Sequence, residues 1–192
     1  MNIFAYWISN FVVDYIIYLF VGMISFILLF IFDIDSLIKD NRWIMSFLLF
    51  FFYGFGFIPF IYFLSFFFKK PSAGQIAVFL IAFFCGMFLV FIGFALRIIE
   101  DTRYLTRDFL DYIFRLIPFF SFNYGILNLG NTDLYKLIYL YSEAKDPFHP
   151  LGVLFDFLFL IFMGIVYSIL VILMEFSYKF KKIKLIKNEQ ID

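Results

Sequence analysis

The sequence predicts an all-α membrane protein: a polytopic helical bundle of about five transmembrane helices with a broken, re-entrant-like fourth segment. Composition is the first observation behind this. Of 192 residues, 65% are hydrophobic, 26% aromatic and only 16% charged, and the mean hydropathy is +0.98. Soluble domains sit near ~45–50% apolar and ~25% charged, and a globule of this size buries only about 70% of its unfolded surface. Lipid must therefore solvate much of the chain. The second observation is that apolar windows long enough to cross the hydrocarbon, roughly 20 residues, recur along the sequence. The third is that lysine and arginine fall almost entirely between those windows.

The windows come in order. Residues 11–32 carry only Asp14 near their start, and 43–68 and 76–96 are free of charge. Residues 109–129 are less regular, holding Asp111, Arg115, Pro118, Asn123, Gly125 and Asn128. Residues 151–174 carry Asp156 one turn in, with Glu175 just beyond. Before the first window, Tyr6 and Trp7 read as a lead-in at headgroup depth, and the start lacks the basic residues of a signal peptide. The membrane unit spans 1–178 and is followed by a basic tail, 179–192.

With the N-terminus exocytoplasmic or lumenal, the segments 33–42 and 97–108 and the tail face the cytosol. They hold ten lysines and arginines, among them Lys39, Arg42, Arg97 and Arg103, against four in the opposite loops. The positive-inside rule favours that arrangement and places the C-terminus in the cytosol. Ile34, Leu37 and Ile38 share a helical face in the first cytosolic segment. On the other side, Thr132 can cap a helix presenting Leu134, Leu137, Ile138 and Tyr141 until Pro147 and Pro150 end it.

Several chemistries are excluded. Fifteen basic and fifteen acidic side chains cancel, which argues against nucleic acid as a partner. One cysteine (Cys85) and one histidine (His149) exclude a disulfide framework and most zinc sites. No glycine is followed by lysine, so this chain has no P-loop. No catalytic residue and no metal site is expected, and any cofactor belongs elsewhere.

The remaining features are structural or mechanical. Pro59 follows Gly54 and Gly56 in the second window. It removes a donor and crowds the carbonyl of Phe55, which reads as packing or as a hinge. Ala82 and Gly86, with Gly93 further along nearly the same face, suit close seating of a neighbouring helix. Pro118, Asn123 and Gly125 break the fourth window, and broken backbone is tolerated in a membrane only where protein or water covers it. Asp111 and Arg115, spaced i, i+4, read as an ion pair near the surface. Asp14, Asp156 and Glu175 read as interfacial anchors.

Three stretches in order carry a resemblance. Tyr6-Trp7-Ile8-Ser9-Asn10-Phe11-Val12-Val13-Asp14 looks like the start of the second membrane helix in one half of a subfamily A ATP-binding cassette transporter. The run from Phe52 through Gly54, Gly56 and Pro59 to Phe68, followed by Lys69-Lys70-Pro71-Ser72-Ala73, is similar to that family's third helix and outer turn. Residues 117–129, opening Ile117-Pro118-Phe119-Phe120-Ser121-Phe122-Asn123-Tyr124-Gly125, resemble its fifth segment. The resemblance implies a six-helix membrane half with a large exocytoplasmic domain between helices one and two. A cytosolic nucleotide-binding domain follows helix six. This chain would supply helices two to six, with helix one, the exocytoplasmic domain and the ATPase outside it. ATP and Mg would bind on that separate or missing nucleotide-binding domain, and the partners would be the lipid bilayer, that domain and a second transmembrane half. The implied cargo is a lipid or another amphipath. Segment 33–42 (Ile34, Leu37, Ile38, Arg42) would be the coupling helix and the 97–108 loop, with Arg103, the second contact. Two other readings remain beside it: a non-catalytic multi-pass scaffold or channel subunit, and an integral-membrane lipid-modifying enzyme.

Overall fold

The computed structural model describes residues 3–39, 41–99, 102, 105–131 and 153–189, and every regular element among them is helical. Helix α1 (Ile3–Ile31) is followed by the short α2 (Asp35–Ile38) and by α3 (Arg42–Ser65). A long rod then combines α4 (Pro71–Phe83), a π-helical turn (Phe84–Phe88) and α5 (Leu89–Ile98). A second π-helical turn (Thr106–Leu110) leads into α6 (Asp111–Phe114), then α7 (Pro118–Gly130) and finally α8 (Leu154–Glu189). His149, Arg103 and the 132–141 helix expected from sequence lie outside the described residues.

Among the described residues, four helices are long and apolar enough to cross a membrane: Ile3–Ile31, Arg42–Ser65, Pro71–Arg97 and Leu154–Phe180. The fourth expected crossing, 109–129, is not one of them. It folds back on itself about residue 117. Tyr124 bonds to Asp111, Phe120 packs against Phe114 at 5.3 Å, and the Ser121 hydroxyl donates to the Arg115 carbonyl at 2.8 Å. Each step along one arm is matched by a step back along the other, which is the register of an antiparallel helical hairpin. Proline at the first position of α7, with Ile117 extended before it, makes the corner, because Pro118 excludes αR at the preceding residue. The arms span about 16 and 20 Å at 1.5 Å per residue, short of the ~30 Å hydrocarbon. The segment is a helical hairpin of re-entrant type rather than a single long rod.

Contacts between the rods set which ends meet. Phe4 at the start of α1 lies against Phe176 of α8, and Trp7 packs on Tyr62 and Phe66 at the end of α3. At the opposite end, Leu37 of α2 shares a core with Met45 and Leu49 of α3, Leu129 of α7, and Val153 and Leu160 around the start of α8. The first turns of α1 and the outer turns of α8 thus occupy one end of the bundle.

Helix α3 is the hub, with nine of its residues buried, whereas α1 buries only Gly22 and Phe26. Close approach of α3 and α8 depends on two glycines: a Cβ at Gly56 would stand 3.0 Å from the Leu160 carbonyl, and one at Gly164 would stand 2.7 Å from the Phe55 carbonyl. That second carbonyl is the one Pro59 deprives of its helical donor. The outer faces of α1 and α4 are apolar and exposed, as with Phe20 and Phe79, which is the pattern of a surface bathed in lipid.

Candidate functional site

Charge at depth in a bilayer is costly and persists only when paired or hydrogen-bonded, so buried charges mark where the bundle invests most. Asp111, Asp156, Arg115 and Arg97 are all buried, between 0% and 7% exposed, and together they are electrically neutral. Arg97, at the end of α5, grips one carboxylate oxygen of Asp111 with two donors, Nε at 2.9 Å and Nη2. Arg115, at the corner of the hairpin, donates from Nε to Asp156 Oδ1 at 2.6 Å. Asn128, on the second arm, donates to the other oxygen of Asp156 at 3.2 Å. Between them stands the fully buried Tyr124, whose ring centroid lies 5.0 Å from the Arg97 guanidinium carbon and 5.6 Å from that of Arg115. Asp111 Oδ1 is buried without a hydrogen-bond partner.

The pairing differs from the sequence expectation. Asp111 and Arg115 do not take each other: Asp111 pairs with Arg97 and Arg115 with Asp156. The physical reason is the hairpin, which carries the Asp111 carboxylate to α5 and the Arg115 guanidinium to α8. Each pair therefore joins two elements. Asp156 is likewise no interfacial anchor, being fully buried. Asn128 and Tyr124 were not singled out as partners from sequence. The available signal was charge parity, since Arg97, Asp111, Arg115 and Asp156 are two of each sign within or beside apolar windows.

The other predicted residues are placed as follows. Gly86 and Gly93 face α7: a Cβ on Gly86 would lie 2.7 Å from the Asn123 amide nitrogen, and one on Gly93 would lie 3.6 Å from the Phe120 ring. Ala82 packs against the cluster of Phe60, Phe119, Met163 and Tyr167. Gly125 fits between Leu49 and Asp156, and Gly54 receives the ring of Tyr18. Of the segment 33–42, Ile34 is exposed, but Leu37 is buried in the core and Arg42 is only 5% exposed, donating to the Ser36 carbonyl at 3.2 Å. Leu37 thus faces the core of the bundle. Among the described residues no three His, Cys, Asp or Glu side chains gather as metal ligands.

A bundle of apolar rods holding a charge-pinned re-entrant hairpin is the setting for the comparisons with known proteins. Residues 1–173 match the profile described as ABC-2 family transporter protein. The chain belongs to the ABC-2 transporter family. This ABC-2 chain is 26% identical over 149 residues to ATP-binding cassette sub-family A member 2 of Rattus norvegicus, covering 74% of the chain and 6% of that relative. The Homo sapiens protein of the same name is 26% identical over 153 residues, 77% of the chain and again 6% of the relative. ABC transporter A family member 11 of Dictyostelium discoideum is 42% identical over 71 residues, 37% of the chain and 8% of the relative. The ABC-2 chain thus matches only a small part of these much longer relatives.

Proposed function

We propose that this chain is the membrane-spanning part of an ATP-driven transporter that moves lipids or other amphipathic molecules across a bilayer. ATP and Mg act on a nucleotide-binding domain outside the matched region, and a second transmembrane half completes the path. The observation that carries the reading is the family match across 1–173. The apolar outer faces support it, since a cargo that partitions into lipid reaches the bundle sideways.

The end that gathers Phe4, Lys69, Lys70 and the outer turns of α8 is the cytosolic end. It presents Lys69 and Lys70 between α3 and α4, with Lys179, Lys181, Lys182, Lys184 and Lys187 on the last turns of α8. Basic residues close to the ends of spans hold their side in the cytosol. At the opposite end Lys39 pairs with Asp35 and Arg97 with Asp111. Four crossings that begin and finish in the cytosol match helices three to six of a six-helix half, rather than two to six. Coupling to the ATPase then falls to the 66–71 turn and the start of α1, and the hairpin opens from the far leaflet. Because Arg97 and Asp156 tie the hairpin to α5 and α8, a tilt of either rod moves the hairpin with it.

The test is reconstitution of the chain with the ATPase subunit that co-purifies from its native membrane, following a fluorescent phospholipid. The reading predicts ATP-dependent lipid movement, lost in the Lys69→Glu/Lys70→Glu double variant while lipid-free ATPase activity persists. ATP-independent movement, or no associated ATPase at all, contradicts it and favours a scaffold or channel subunit.

A further inference from the structure

Where the start of α1, the end of α3 and the outer part of α8 converge, they line a cavity of about 480 Å³ walled by Tyr6, Trp7, Ser65, Phe66, Glu175 and Lys179. Its size falls within the roughly 300–1,000 Å³ of small-molecule sites. Three of its lining groups have hydrogen-bonding or ionic capacity that no described residue takes up. The Trp7 indole nitrogen is buried with no acceptor. Glu175 and Lys179 lie one turn apart on α8, and neither is held in an ion pair with any described residue. The remaining wall is aromatic: Trp7 packs edge-on to Tyr6, and its ring lies 5.1 Å from that of Tyr62 and 6.0 Å from that of Phe66.

We infer that this cavity binds the headgroup of one zwitterionic phospholipid, apart from the charge cluster of the hairpin. Lysine and an indole N–H are donors for a phosphate. A carboxylate and electron-rich aromatic faces are the complementary surface for a choline or ethanolamine ammonium. An anionic headgroup would satisfy Lys179 but meet Glu175 with like charge, so the site discriminates by the second sign. Tyrosine and tryptophan at headgroup depth, where one side of the ring is apolar and the other wet, place the site at the interface. The inference rests on the reading that this end of the bundle lies at a membrane surface. It does not rest on what the transporter carries: a resident lipid here would fasten α1 to α3 and α8.

The chain, purified in detergent and delipidated, is offered equimolar phosphatidylcholine and phosphatidylglycerol of the same acyl chains, and native mass spectrometry counts the lipid retained. One phosphatidylcholine per chain is expected, favoured about tenfold, the effect of one charge-assisted contact. Glu175→Lys should abolish the preference, and Trp7→Phe, which removes only the N–H, should weaken retention about threefold. Soluble glycerophosphocholine should displace the lipid where inorganic phosphate does not. Equal retention of the two lipids, an unchanged preference in Glu175→Lys, or displacement by phosphate alone overturns the proposal. Because no ATP is present, this result is independent of the transport test: retention without ATP-driven movement would leave the site standing and sink the transporter reading alone.

Discussion

At the scale of single residues, Arg115 and Asp156 show why a buried pair is better judged by what its loss leaves behind than by its own strength. Both are nearly or fully buried and joined at 2.6 Å. Removing one partner strands the other charge, which costs about 3–5 kcal/mol. Arg115→Ala and Asp156→Ala should each lower stability by that order in a detergent unfolding assay, and the double variant by much less than their sum. Additive losses would show that the two do not act as a pair. Glycine positions give a second contrast. Gly164→Ala puts a methyl 2.7 Å from a backbone carbonyl, whereas at Gly22 the nearest atoms are Tyr18 ring atoms 3.6 Å away. Gly164→Ala should destabilise by about 1–3 kcal/mol, and Gly22→Ala should be neutral or mildly stabilising. Thermal shifts of the two variants in the same direction and size would contradict the tight α3–α8 crossing.

At the scale of elements, the apolar windows were legible because crossing a bilayer demands long uninterrupted runs, and 43–68, 76–96 and 151–174 each correspond to a rod. The broken character of the fourth window was legible too, from Pro118, Asn123 and Gly125. What the sequence did not disclose was the direction of the chain after the break. A proline corner looks the same whether the second arm continues or returns, and the choice depends on partners on other helices, Arg97 and Asp156. The i, i+4 spacing of Asp111 and Arg115 suggested a local pair, because a single helix supplies no information about neighbours. The hairpin has a direct consequence for access. With Cys85 replaced by serine, cysteines at Leu105 and Asn131 should react with an impermeant maleimide from the same side of the membrane, and one at Ile117 should react slowly from either. Labelling of Leu105 and Asn131 from opposite sides would restore the fifth crossing.

At the scale of the whole molecule, the number of crossings decides which loops share a side of the membrane. The positive-inside count depends on which loops share a side: five spans put the 33–42 segment in the cytosol, and the four-span reading proposed above puts it on the other side. Folding moves Leu37 into the core beside Leu129 and Val153 and gathers the start of α1 with the outer turns of α8. On the proposed orientation Lys69, Lys70 and Lys179 then share the cytosolic side. The measurement that bears most directly on this account is sided cysteine labelling of sealed vesicles, in the same Cys85→Ser background, with single cysteines at Lys70, Lys179 and Asp35. The account predicts that Lys70 and Lys179 label together from the cytosolic side and Asp35 only from the other. Lys70 and Lys179 labelling from opposite sides would contradict it.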